Sequence, residues 1–171
     1  NSVELVIPED LVTEIEDSAF QDCLNLKTLK IPDSVKTIGK SAFKNCLNLK
    51  KIKISSSVKK IDDFTFFGCP VLSKIEMPET VELFGNYSFS KCRSITSLTV
   101  PFSVKSIGNS CFEGCSHLSI INLPSSIVSI GDSAFSMCIK LRKIIIPDSV
   151  VSIGNSAFFG CSSLSEVCLS S

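Results

Sequence analysis

The residues best suited to chemistry in this sequence are nine cysteines and a single histidine, His117. Seven of the cysteines, Cys23, Cys46, Cys69, Cys92, Cys115, Cys138 and Cys161, recur at a fixed step of 23 residues. A fixed step places them at one position of successive units, with side chains pointing the same way, and neighbours so arranged do not readily take the torsion a disulfide needs. Buried structural thiols, behaving as small hydrophobes, are therefore favoured over a disulfide ladder. Cys111 replaces the small residue found at Ala42 and Ala134 and also reads as core, whereas Cys168 falls on a strand position expected to face solvent and is the candidate reactive thiol. There is no C-x-x-C pair, so a Cys/His zinc site has no support. His117 occupies a repeat position held elsewhere by Asn25, Asn48 or Lys140 and reads as a surface substituent. The acidic pairs Glu14 with Glu16 and Asp62 with Asp63 lie in turns without a partner base. The glycines are spaced by the repeat, and no phosphate loop, G-x-S-x-G or H-E-x-x-H occurs. The reading is non-enzymatic, with no catalytic, cofactor-binding or metal residue expected and no cofactor. The sequon Asn86-Tyr87-Ser88 is close to chance in a chain this rich in serine and asparagine.

The elements that carry these residues follow from the same step. Phenylalanine repeats at Phe20, Phe43, Phe66, Phe89, Phe112, Phe135 and Phe158, so seven copies of one unit fill almost the whole chain. A constant period in this range marks a stacked-repeat protein. Within each unit an apolar trio, such as Leu49, Ile52 and Ile54, alternates at its end with polar residues, the pattern of a half-buried strand. Proline then ends the strand at six copies and Ser55 at one. Val35 to Gly39 predicts a second, shorter strand on the opposite face. Glycine at Gly39, Gly85, Gly108, Gly131 and Gly154 predicts a backbone turn that a side chain would strain, although Glu16 and Asp62 replace it. Asp or Asn follows in every unit except at Lys40, and ahead of S-A-F-x-x-C it predicts an N-cap and one short helical or 3₁₀ turn. The first unit carries one extra residue between Pro8 and Phe20, expected in the loop at 9–11. A single unit cannot bury enough apolar surface to fold alone, which is why the units come in arrays.

Seventeen basic and seventeen acidic residues cancel, so no global field draws the chain to nucleic acid or an anionic membrane. No apolar run is long enough for a transmembrane helix. The domain reading is one array, residues 1–171, and because both ends look cut inside a repeat it is taken as an excerpt of a longer protein.

The unit resembles the BspA-like, or treponemal-type, class of leucine-rich repeats, whose pattern is L-x-x-L-x-[IVL]-P-x-x-[VIL]-x-x-I-G-x-x-A-F-x-x-C. Leu49 to Cys69 and Leu118 to Cys138 follow it with few departures, and the match covers essentially the whole chain. The resemblance implies a leucine-rich repeat solenoid, mostly β, with the L-x-x-L-x-I strands in a concave parallel sheet and short strands and helical turns on the convex side. It further implies a surface or secreted protein of the kind credited with adhesion to host matrix proteins or other cells.

If the apolar trios point inward, the residues between them form the concave surface. Its first three columns hold Lys27, Lys30, Lys50, Lys51, Lys53 and Lys74 against Glu76 alone, and its second half holds Ile120, Asn122, Lys143 and Ile145. Such a face suits an acidic or extended protein segment, the alternative being that the lysines only keep the sheet soluble. On the other side Phe64 and Tyr87 replace serine, and Phe67 replaces a mostly polar residue. That aromatic cluster is either a contact patch or local repacking. The functional expectation is a protein-binding or adhesion module using the concave face. An intracellular, cytoplasmic scaffold or regulatory subunit, or a spacer for another domain, remain as alternatives.

Overall fold

Alternation of inward apolar and outward polar residues produces strands where the trios stand. The computed structural model describes residues 3–169 as parallel coils that each contribute one longer and one two-residue strand. In chain order these are β1 (Val3–Val6), β2 (Glu14–Ile15), β3 (Leu26–Lys30), β4 (Thr37–Ile38), β5 (Lys51–Lys53), β6 (Lys60–Ile61), β7 (Lys74–Glu76) and β8 (Leu83–Phe84). There follow β9 (Ser97–Thr99), β10 (Ser106–Ile107), β11 (Ile120–Asn122), β12 (Ser129–Ile130), β13 (Lys143–Ile146), β14 (Ser152–Ile153) and β15 (Glu166–Leu169). Odd-numbered strands pair in parallel on the concave face and even-numbered strands on the convex face. The extra residue of the first unit lies between Val6, which pairs with Lys30, and Glu14, which pairs with Thr37. Asp10, in the loop expected to hold it, adopts a left-handed φ of 67°.

Two columns fill the space between the faces. The rings of Phe20, Phe43, Phe66, Phe89, Phe112, Phe135 and Phe158 stack one on the next with centroids 5.4–5.5 Å apart. Beside them the seven cysteines are free thiols, and each from Cys46 to Cys161 donates its S–H to the carbonyl of the phenylalanine one coil back, at 3.0–3.2 Å. A small side chain with a weak donor fits that site, which explains cysteine there as readily as hydrophobicity does. Ser55, in the place of proline, is buried and donates its hydroxyl to the Val35 carbonyl at 2.8 Å.

The S-A-F-x-x-C segment departs from expectation. Among the described residues it forms no helical turn but a run of β-turns, with Ala42 N–H bonded to the Gly39 carbonyl, Lys44 N–H to Ser41 and Cys46 N–H to Phe43. Ser41 and Asn45, third residues of the first and last of these turns, have φ of 56° and 58°, as a type II turn requires. The reason is competition from the next coil. Every second N–H, those of Ser41, Phe43 and Asn45, leaves the turn to bond the carbonyl of Asp63, Thr65 or Phe67, so a helix would forfeit the bonds that hold the stack together.

The Asp/Asn column and the glycines are corrected on the same ground. Asp17 Oδ1 accepts the N–H of Lys40 at 2.6 Å, and Asp63, Asn86, Asn109 and Asp132 each accept the N–H of the equivalent residue in the next coil at 2.6–2.8 Å. These side chains do not cap a helix; they lace coil to coil. Gly131 is glycine because a Cβ there would stand 2.6 Å from Asn109 Oδ1 and 2.7 Å from the Gly108 backbone carbon. Close approach, not a turn, excludes a side chain.

Three seams interrupt this order. The convex sheet runs unbroken from β6 through β8, β10 and β12 to β14, but β4 does not pair with β6. At that seam Lys40 offers no side-chain oxygen to Asp63 N–H, and Asp62, standing in place of glycine, supplies one from its own coil at 2.8 Å. Burial works against its charge, yet the Lys60 ammonium at 2.7 Å and the Asp63 N–H hold the Asp62 carboxyl below the usual aspartate value. The concave sheet is divided twice, between β7 and β9 and between β11 and β13.

Candidate binding faces

The side chains expected on the concave surface are all there. Lys27, Lys30, Lys50, Lys51, Lys53 and Lys74 are exposed, as are Asn122 and Lys143, while Ile120 and Ile145 are 57% and 50% exposed. Register brings Lys51 and Lys74 into one row with Thr28, and Lys53 and Glu76 into the next row with Lys30. Their charges are not equivalent. Glu76 lies 2.8 Å from Lys51 Nζ and 3.9 Å from Lys53 Nζ, Glu9 lies 3.2 Å from Lys30, and the Lys51 ammonium holds Glu76 below the ordinary glutamate value. Among the described residues, no carboxylate comes within 4 Å of Lys27, Lys50 or Lys74. The lysines without a direct carboxylate partner are therefore those three, one in each of the first three coils.

The second half carries cations beside its exposed isoleucines. Ile120, Asn122, Lys143 and Ile145 share a concavity of about 800 Å³ with Lys140 and Arg142, over the seam between β11 and β13. Glu166 pairs with Lys143 at 2.8 Å, and among the described residues no carboxylate stands within 4 Å of Arg142 or Lys140. Reading the strand columns missed Lys140 because it precedes the strand, at the repeat position of Asn48 and His117. Cys168 lies on the same face, opposite Ile145, but is only half exposed.

On the other side Phe64, Phe67 and Tyr87 come together as the sequence led one to expect. Phe64 stacks on Tyr87 at 4.8 Å, Phe67 meets Phe64 edge-on at 5.7 Å, and Lys91 stands 4.9 Å above Phe67. All three rings are half-buried, and Phe64 and Tyr87 carry left-handed φ of 58° and 56°. The cluster satisfies its own surfaces, with Lys44 also over both phenylalanines at 5.7–5.9 Å. The sequon is engaged in the fold: Asn86 Oδ1 accepts Asn109 N–H, and Ser88 is buried with its hydroxyl 3.2 Å from Cys111 Sγ. His117 is exposed beside Ser116.

Parallel coils with a laced turn column and a polar concave sheet define a leucine-rich repeat solenoid. The chain matches the profile of the BspA type leucine rich repeat region over residues 1–102 and 82–171, and it belongs to that family. Among solved structures it is similar to a leucine-rich repeat protein from Bacteroides ovatus at 35% identity and TM-score 0.87, over 91% of this chain and 40% of that one. It is also similar to a leucine rich cell surface protein from Faecalibacterium prausnitzii at 32% identity and TM-score 0.82, over 92% of this chain and 43% of that one. A leucine-rich repeat protein of T. pallidum gives 30% identity and TM-score 0.82 over 90% and 72% of the two chains. The chain thus spans about two fifths of the first two neighbours. No curated protein matches it. Among the described residues no helix is long and apolar enough to cross a membrane. The fold is that of a repeat module of the protein-binding kind, and such repeats are in general non-catalytic scaffolds.

Proposed function

We propose that this array is the ligand-binding part of a surface or secreted adhesion protein, and that it engages an acidic segment of an extracellular matrix or host-surface protein through its concave sheet. The observation that carries the reading is the set of three cations Lys27, Lys50 and Lys74, one in each of the first three coils, which among the described residues have no carboxylate within 4 Å, while Glu9 and Glu76 offset part of the charge of Lys30, Lys51 and Lys53. Excess charge left exposed on the concave face of a solenoid steers an oppositely charged partner and raises its association rate. Similarity to a neighbour described as a cell surface protein supports the location.

The test is charge reversal in two sets. Lys27→Glu, Lys50→Glu and Lys74→Glu together are expected to weaken capture on immobilised matrix proteins by about tenfold or more at physiological salt, with a matching loss of salt dependence. Lys51→Glu with Lys53→Glu is expected to do less, because Glu76 already offsets part of the charge on those two. Capture that survives the triple reversal sinks the concave electrostatic reading.

A further inference from the structure

The break between β7 and β9 is confined to one face. On the convex face the same two coils stay paired, Ser106 with Leu83 and Ile107 with Phe84, and the turn column between them is intact, with Tyr87 N–H on the Asn109 carbonyl at 2.8 Å. On the concave face the bonds that join other coils are missing. Ile54 N–H reaches the Glu76 carbonyl at 3.0 Å and Val100 N–H reaches Asn122 at 3.3 Å, but no such bond joins Met77 to Thr99. Lys50 N–H bonds Lys27 and Ser119 N–H bonds Thr96, but Thr96 N–H does not bond Ser73. No Cα of β7 lies within 8 Å of a Cα of β9.

By the alternation of a parallel ladder, the main-chain groups left facing this opening belong to Ile75 and Met77 on one wall and to Ser97 and Thr99 on the other. The opening has a volume of about 390 Å³. Its floor is apolar, and it costs burial: Ile75 and Met77 are half-buried, whereas Ile52 and Ile54 at the same positions one coil earlier are 0% and 2% exposed. Glu76 leans away from the opening, toward Lys51 and Lys53. One extra strand paired on both sides needs two strand spacings, about 9.6 Å, between its flanking neighbours. The Cα atoms of β7 and β9 all stand more than 8 Å apart, wider than the single spacing of a paired sheet, while at the other concave seam those of β11 and β13 approach within 8 Å.

We propose that the β7–β9 opening is a docking slot for an extended segment of the partner protein, which enters as an additional strand with its apolar side chains over Ile75, Met77 and Leu98. Strand addition satisfies free donors and acceptors on both walls at once and takes its specificity from alternate side chains. This deepens the concave-face reading by naming how the partner binds; it rests on that reading for its location but not on the lysine charges.

Two measurements test it. In amide hydrogen exchange of the free chain, Ile75 and Met77 are expected to exchange at least about tenfold faster than Ile52 and Ile54. Equal protection at the four positions would mean a closed sheet and overturn the proposal. Peptides selected on the chain from a displayed random heptapeptide library are then synthesised and N-methylated at either alternate set of amides. Each set is expected to weaken binding by about tenfold, since a strand held between two walls donates to both. Ser97→Pro, which removes a wall donor that the fold does not use, is expected to weaken binding similarly and leave the melting temperature near that of the parent. Selection of no peptide, or of peptides indifferent to both changes, overturns the slot. If the slot fails while the triple lysine reversal still abolishes capture, the concave-face function stands without strand insertion; the converse keeps the slot and removes the electrostatic reading.

Discussion

At the residue scale, cysteine behaves here as a structural donor. Cys46, Cys69, Cys92, Cys115, Cys138 and Cys161 each reach a carbonyl one coil back, and stacking them in parallel leaves no pair oriented for oxidation. Seven thiols are buried and two, Cys23 and Cys168, are partly exposed. A thiol-specific reagent added to the native protein should therefore label two sites quickly and the other seven only in denaturant; fast labelling of a third would contradict the packing. Phe64 and Tyr87 show another side of residue choice. Serine or a residue like it suits a left-handed position better than an aromatic ring, so their backbone strain is offset by the stacking and cation contacts that only rings can make.

At the element scale, the coils are joined by close approach, and the glycines record it. Gly131→Ala should lose stability at the upper end of about 1–3 kcal/mol, because the added Cβ meets fixed backbone and the coils must part. Gly114→Ala should cost only about 1 kcal/mol, its Cβ meeting nothing nearer than 3.7 Å and the penalty coming from its φ of 70°. Urea denaturation of both variants checks the order. These elements were unequally legible in the sequence. Strands, their faces and the exposed lysines follow from alternation, so Ile52 and Lys51 could be assigned to core and surface directly. The turns were not legible, since S-A-F-x-x-C with a preceding Asp or Asn looks like a capped helix until the neighbouring coil competes for every second N–H. The concave seams leave no mark at all: the 23-residue spacing is the same across the break at Ile75 and Leu98 as across the intact pair Ile52 and Ile75. Glu76 could be counted as one acid among six lysines, but not that it leans toward Lys51.

At the scale of the whole molecule there is no single core but columns that run from coil to coil, so the response to pH is a sum over units. Burial pushes the thiols of Cys92 and Cys111 from near 9 up to about 12, and those of Cys115 and Cys138 upward as well. A raised thiol means the folded chain keeps protons that the unfolded chain releases, so this stability is fully present below about pH 9 and is lost as pH rises toward 12. The unfolding free energy, read by urea denaturation, should be level from neutral pH to about 8.5 and then fall progressively, by up to about 1.4 kcal/mol per pH unit for each such thiol. Cys111→Ala, a residue already tolerated at Ala42 and Ala134, should make that decline shallower; an unchanged slope would place the alkaline sensitivity elsewhere. The Asp/Asn lacing also limits how such a molecule can be rearranged by duplication or exchange. A unit that opens with glycine can follow any unit that presents Asp63, Asn86, Asn109 or Asp132, so the stretches 85–107, 108–130 and 131–153 are interchangeable cassettes. The stretch 62–84 is not, because Asp62 fits a predecessor that, like Lys40, offers no side-chain oxygen and leaves its two-residue strand unpaired with the next. Lys40 and Asp62 thus form a matched junction: exchange of coils beyond it is expected to preserve the stacking, and exchange that separates the two is expected to disrupt it.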